Sequence, residues 1–231
     1  MSTTLEEMVE LGLHFGHQSR KWNPKMAPYI YTKRNGMHII DIVQTASYLT
    51  EVSNFLTQAA REGKTFLFVG TKKQVSPLIA EAAVASKSYY LNQRWLGGML
   101  TNWQTMKTAI ARLTELRVLE KYGRFKALPK KQAAFYKKQK DRLEKYLGGV
   151  ASMTRIPDVV LIIGQPDERN AVLECRKLGL RTITILDTDC DPSLADLFVP
   201  ANDDSSRSVK FLLDSFVTAI CQGREPSHDK Y

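Results

Sequence analysis

Cysteine is scarce in this chain. Its three cysteines, Cys175, Cys190 and Cys221, lie far apart with no Cys-x-x-Cys spacing. That argues against a disulfide scaffold or a zinc knuckle and fits a reducing compartment. No stretch approaches the roughly 18 apolar residues of a membrane span, so no membrane partner is expected. The first residues, MSTTLEEMVELG, are acidic and amphipathic. They resemble neither a signal peptide nor an Arg/Ser-rich transit peptide, so the protein is expected to work in the compartment where it is made. Gly-rich phosphate motifs are missing too. After the first apolar run the chain reads Gly70-Thr-Lys-Lys-Gln, with neither GxGxxG nor GxxxxGK[ST]. No nucleotide or flavin cofactor is therefore expected. No Ser/His/acid or Cys/His set assembles, which argues against an enzyme.

What the chain has in excess is positive charge. The net charge of +9 in 231 residues favours a polyanionic partner. The charge is concentrated: residues 121–146 carry ten basic and two acidic groups, whereas residues 147–231 carry nine basic and thirteen acidic ones. A second basic stretch, His14 to Gly36, holds Arg20, Lys21, Lys25, Lys33 and Arg34 and no acid, with Trp22, Tyr29 and Tyr31 interleaved. Cations for phosphates beside flat rings for bases are what an RNA-facing loop needs; the alternative is a solvated basic loop.

Hydrophobic periodicity places these features on a scaffold. Thr4 and Glu7 form a capping box for a short helix through Leu11. Residues 12–37 read as a basic loop, and His38–Ile42 as a short strand. A helix is expected from Gln44 to Glu62, stopped by Gly63. Thr65–Val69, Pro157–Ile163 and Arg181–Leu186 are continuous apolar runs, as in strands buried on both faces. Tyr89–Leu91 reads as a further short strand. Helices are expected at Gln74–Lys87, Asp167–Leu178 and Ser206–Ile220, with a loop containing Pro192 and Pro200 before the last. The alternation predicts a doubly wound α/β fold with a parallel sheet. Residues 102–147 break it with two polar helices turned at Gly123 and Pro129. Their thin apolar seams predict an antiparallel hairpin packed mostly on itself and inserted into a sheet domain of residues 1–101 and 148–231; a helical cap over the sheet is the alternative.

Several residues invite chemical readings. Lys72 and Lys73, after a buried strand, either grip a phosphate or are plain surface lysines. His14 and His17 make half a metal site at most, so no metal is expected. Asp187-Thr-Asp-Cys-Asp191 mimics the start of a calcium loop, but Pro192 and Phe198 stand where Gly and Glu are required; these acids are expected to cap the next turn. Asp203 and Asp204 suit the positive end of the last helix. Cys175 reads as packing, and His228 lies in a polar tail. Arg94 and Trp95 precede Gly97-Gly98, which permits close backbone approach either to RNA or to the protein's own core.

Taken in order, Gly12-Leu-His-Phe-Gly-His-Gln-Ser-Arg-Lys-Trp-Asn-Pro-Lys-Met26, Phe68-Val-Gly-Thr-Lys-Lys-Gln74, Asn92-Gln-Arg-Trp-Leu-Gly-Gly-Met-Leu-Thr-Asn102, Leu186-Asp-Thr-Asp-Cys-Asp-Pro192 and Pro200-Ala-Asn-Asp-Asp204 resemble the family of ribosomal protein two of the small subunit. The segment ending Leu143–Gly149 is similar to the coiled-coil hairpin of its bacterial and organellar branch. The resemblance implies a flavodoxin-like (Rossmann-like) sheet without its cofactor. It also implies a structural role in translation, binding small-subunit rRNA on the solvent side between head and body, as a monomer beside other small-subunit proteins including ribosomal protein one. The wording around His38 and Asn92 is similar to plastid and cyanobacterial members. A plastid-encoded protein of the chloroplast stroma is the first expectation, and a cyanobacterial cytoplasmic one the second. Ser205-Ser206 departs from the family pattern and is expected to loosen the start of the last helix. The residues expected to contact RNA are Arg20, Lys21, Trp22, Lys25, Tyr29, Lys33, Arg34, Lys72, Lys73, Arg94, Lys130, Lys131, Lys137 and Lys138. A cofactor-binding α/β enzyme and a free-standing RNA chaperone remain as readings of other classes.

Overall fold

A computed structural model describes residues 4–225; His228 lies outside them. Five strands form one parallel sheet: β4 (Phe66–Val69), β5 (Tyr89–Leu91), β6 (Val159–Ile163), β7 (Arg181–Leu186) and β8 (Leu197–Pro200). Their spatial order is β5-β4-β6-β7-β8, with every neighbouring pair parallel. Numbered within the sheet this is the flavodoxin-like order, with its switch point between β4 and β6.

The central strands are apolar throughout because both faces are covered. Phe66, Phe68, Val159, Leu161 and Ile163 point to one face, where they meet α2 (Ile42–Arg61), α3 (Ser76–Ala85) and α7 (Ser206–Arg224). Leu67, Val69, Val160 and Ile162 point to the other, against Trp95, Met99 and α6 (Arg169–Leu178). Alternate residues of one strand thus feed two separate cores.

The hairpin is built from α4 (Trp103–Lys121) and α5 (Lys130–Leu147). Trp103, Met106, Ile110, Leu113 and Leu147 lie in the same apolar cluster as Leu67, Val69, Val160 and Ile162. The proximal turns therefore cover the sheet, and self-packing is confined to the distal part. The thin seam read as an internal stripe also serves the sheet, because a stripe at helical spacing does not reveal its partner.

The basic segment 12–37 is not a loop throughout. It contains β1 (Phe15–Gln18) and β2 (Ile30–Arg34), which flank β3 (Met37–Ile40) in a three-stranded antiparallel sheet. The span between Pro192 and Pro200 hides the edge strand β8; an edge position tolerates proline. Asp41, assigned above to a strand, caps α2 by accepting from the Val43 and Gln44 N–H groups. At the N-terminus the Thr4 hydroxyl accepts from the Glu7 N–H at 3.3 Å and caps α1 (Leu5–Glu10) as expected. Ser205, the departure from the family pattern, caps α7 through the Ser208 N–H rather than loosening it. Among the described residues no helix is long and apolar enough to cross a membrane.

Candidate nucleic-acid interface

The small antiparallel sheet is fastened to the C-terminal end of β7 by polar contacts spanning most of the sequence. The His17 N–H donates to the Thr188 hydroxyl at 2.9 Å, and the Asn23 N–H donates to the Thr188 carbonyl at 2.8 Å. Gly16 is required for this approach: a Cβ there would stand 2.6 Å from Thr188 Cγ2. His17 Nδ1 lies 3.0 Å from buried Asp187, and Nε2 lies 3.3 Å from Asp204. The hydrogen bond to Asp187 is the main cause that raises the His17 pKa to about 9. His14 takes no part; its ring packs on Phe15 at 4.1 Å.

Lys72 occupies the switch point of the large sheet. Its Nζ donates to Asp203 at 2.7 Å and to Asp204 at 2.8 Å, and its aliphatic stem lies over Gly164. Burial alone would lower the Lys72 pKa, but the two carboxylates more than offset it and raise it. Burial, then the nearby Asp187 charge, pushes the Asp203 carboxyl up to about 7 against the pull of Lys72. Beside it the Thr71 N–H donates to the buried Glu168 carboxylate at 2.9 Å. The crevice where such folds take a phosphate is filled by the protein's own Lys72 and Glu168. Asp203 and Asp204 both hold Lys72, and Asp204 also faces His17. Among the acids of the 187–191 turn only Asp191 caps the next turn, accepting from the Ser193 N–H, whereas Asp187 holds His17. One ligand atom from each of His17, Asp187 and Asp203 lies within 4.8 Å of the others, so this trio has the geometry to hold a cation.

The expected RNA contacts sort into three environments. Arg20, Lys21, Lys33, Arg34, Lys73 and Arg94 are exposed, and none has an acidic partner among the described residues. Among the described residues Arg20 bonds only to Gln18. Trp22 is 36 % exposed, its ring tilted over His38 at 5.1 Å, so one face remains open. Lys25 is exposed but already donates to Asp191 at 2.7 Å and to Ser193 at 2.9 Å. Tyr29 packs edge-on against Tyr48 and Phe198 at 5.8 and 5.3 Å and plugs the small sheet onto the large one. Tyr31, with 76 % exposure, is the freer ring.

Trp95 faces the core, buried at 6 %, and its indole N–H donates to Glu174 at 2.9 Å. The same carboxylate accepts from the N–H groups of Gly98, Leu100 and Thr101 and from the Thr101 hydroxyl, at 2.7–3.0 Å. Gly98, at φ +81°, permits the turn that aims these donors at one carboxylate. Gly98 therefore serves this internal clamp. Glu174 left no signal in the sequence: it is the single acid of α6, and its partners lie more than 70 residues away.

The hairpin carries the third environment. Residues 102–147 hold thirteen basic and four acidic side chains, a balance equal to the +9 of the whole chain. All four acids are paired within the hairpin: Glu115 with Arg112, Glu120 and Asp141 with Lys140, and Glu144 with Arg117. Arg117 and Lys140 tie the two helices together. Lys130, Lys131, Lys137 and Lys138 are exposed and, among the described residues, have no acidic partner. The same holds for Lys107, Lys121, Arg124, Arg142 and Lys145, which the list of expected contacts omitted. Cations left over after internal pairing point to an external polyanion.

Comparison with known proteins agrees. The family model described as ribosomal protein S2 matches residues 8–223. The small ribosomal subunit protein uS2c of Oltmannsiellopsis viridis is 62 % identical over 230 residues, covering 100 % of this chain and 97 % of that protein. The uS2c of Mesostigma viride is 56 % identical over 96 % of this chain and 98 % of its own. The uS2 of a Picosynechococcus species is 52 % identical over 96 % of this chain and 86 % of its own. With a flavodoxin-like sheet and a match that runs almost end to end, the chain belongs to the ribosomal protein S2 family.

Proposed function

We propose that this protein is a structural, RNA-binding constituent of the small ribosomal subunit and not an enzyme. It binds small-subunit rRNA through two surfaces: the exposed cations and rings of the N-terminal sheet, and the hairpin. The observation that carries the reading is the hairpin's charge. It holds the chain's entire excess of basic residues, and its few acids are consumed internally. The protein acts as a monomer at the head/body junction on the solvent side, beside other small-subunit proteins including ribosomal protein one. The relatives named uS2c support a plastid-encoded protein of the stroma, and the Picosynechococcus relative supports a cyanobacterial cytoplasmic one as the second reading.

The test is co-sedimentation with small subunits across a salt series. Each phosphate contact contributes about 0.7 to 0.9 to the slope of log affinity against log salt. Changing Lys130, Lys131, Lys137 and Lys138 together to Ala is expected to flatten the slope by about 3. An unchanged slope, with the variant folded, refutes the assignment of the hairpin.

A further inference from the structure

The distal end of the hairpin has a feature that charge alone does not explain. Between the end of α4, the connecting turn and α5 lies an open slot of about 650 Å³, lined by Arg112, Glu115, Tyr122, Phe125 and Tyr136 among others. That volume lies within the range of small-ligand sites. Its walls are flat rings. Phe125 and Tyr136 face each other nearly parallel, 19° apart in plane with centroids 6.3 Å apart. Tyr122 is 73 % exposed, and Phe135, beside Tyr136, is 64 % exposed. Phe125 and Tyr136 are half-buried, whereas Tyr122 and Phe135 gain little from burial within the chain. The slot also has a polar wall. The Arg112 guanidinium lies 5.5 Å from the centre of the Tyr136 ring and donates to Glu115 at 2.7 Å, which sets a donor and an acceptor side by side. In sequence Lys121, Arg124, Lys130 and Lys131 flank it, all exposed and, among the described residues, without an acidic partner.

We propose that this slot receives one unpaired base of the RNA. The base stacks on the face of Phe125 turned away from Tyr136, its edge meets Arg112 and Glu115, and the flanking cations hold the adjoining phosphates. This rests on the reading of the hairpin as the RNA-binding arm. An acidic peptide would satisfy the cations but brings a flat group only where it carries an aromatic side chain, whereas every base has one. Paired RNA would satisfy the cations too, but its bases are stacked on one another and closed to side chains. Rings and cations together therefore select a bulged or looped nucleotide.

The test uses the full chain and fluorescence anisotropy with two labelled RNAs, a blunt duplex and the same duplex carrying a single-nucleotide bulge. The wild type is expected to prefer the bulged probe. Joint substitution F125L/Y136L is expected to weaken binding to that probe by about 5- to 150-fold, the effect of losing one base–ring stack. Duplex affinity and the salt slope should stay as in the wild type. Tyr122→Ala, which removes an exposed ring, serves as the second variant if the first loses helicity by circular dichroism; it should reduce the bulge preference in the same direction. Equal wild-type affinity for the two probes, or a bulge preference that survives in the folded ring variants, overturns the slot. A variant with Lys130, Lys131, Lys137 and Lys138 all changed to Ala separates the two readings. If it binds both probes as tightly as the wild type, the arm itself is misassigned; if it weakens on both while the ring variants change nothing, only the slot fails.

Discussion

Glu174→Ala is expected to loosen the Trp95–Thr101 loop and to cost stability out of proportion to one surface carboxylate. The Glu174 side chain accepts five hydrogen bonds, from the Trp95 indole, the Gly98, Leu100 and Thr101 N–H groups and the Thr101 hydroxyl. The Thr101 groups are exposed, and water replaces the carboxylate there. Trp95 and Leu100 are buried, at 6 % and 1 % exposure, so their donors are left without a partner. An unsatisfied buried donor costs about 1–3 kcal/mol, which puts the loss near 4 kcal/mol for the two. In a chain of this length each 1 kcal/mol lowers Tm by about 2–4 °C, so a fall of about 8–16 °C is expected. Glu174→Gln keeps an acceptor oxygen and should lose roughly half as much.

A pH signature separates this mechanism from lost packing. Burial by itself raises the Glu174 carboxyl, but the donors outweigh it and hold the pKa below the ordinary glutamate value. A depressed folded pKa means stability that is fully present above the unfolded value, about 4.3, and lost as pH falls through the folded one. The gap in stability between wild type and Glu174→Gln should therefore be widest near neutral pH and narrow on acidification below about 4. Urea unfolding at pH 7 and at acid pH, followed by tryptophan fluorescence, measures both effects. A loss under 1 kcal/mol for Glu174→Ala at pH 7, or a gap that does not shrink in acid, would refute the clamp.

Gly16→Ala places a Cβ against Thr188 and should undock the small sheet at a cost of about 1–3 kcal/mol, seen as faster hydrogen exchange over residues 15–40. Lys72→Met removes the cation that pulls the Asp203 carboxyl down, so Asp203 should keep its proton through neutral pH, and the stability lost relative to the wild type by denaturant unfolding should grow as pH rises above about 7; Lys72→Met/Asp203→Asn should abolish that growth. Replacing residues 102–147 with a Gly/Ser linker should unfold the protein, because five side chains of the sheet-face cluster leave with it, at about 1.5–3 kcal/mol each. Replacing only residues 118–139 should leave a cooperative thermal transition while co-sedimentation with small subunits falls sharply. If the first deletion folds, the proximal turns are not part of the core.

Local and periodic signals survive without knowledge of the fold. The continuous apolar runs at β4, β6 and β7 could belong only to strands covered on both faces, and all three occur where the pattern places them. The Thr4 cap and the helices of the hairpin were legible for the same reason: they depend on neighbours within a turn or two. The concentration of basic residues between 121 and 146 is a property of the sequence alone. The basic N-terminal strands were not legible, because β1 and β2 are held by β3 and by Thr188 rather than by their own pattern. Only the tertiary structure decided which cations remain available. Lys25 and Lys72 lie in basic or exposed-looking stretches, yet each meets its carboxylate across more than 130 residues of chain: Asp191 for Lys25, Asp203 and Asp204 for Lys72. The apolar stripe of α4 likewise announced a buried face but not its partner, since a helical period records which side avoids water and not what shields it. An ion pair or a covered face between distant segments leaves no periodic trace in either partner, so the free and the occupied charges of this protein are told apart only once the chain has closed on itself.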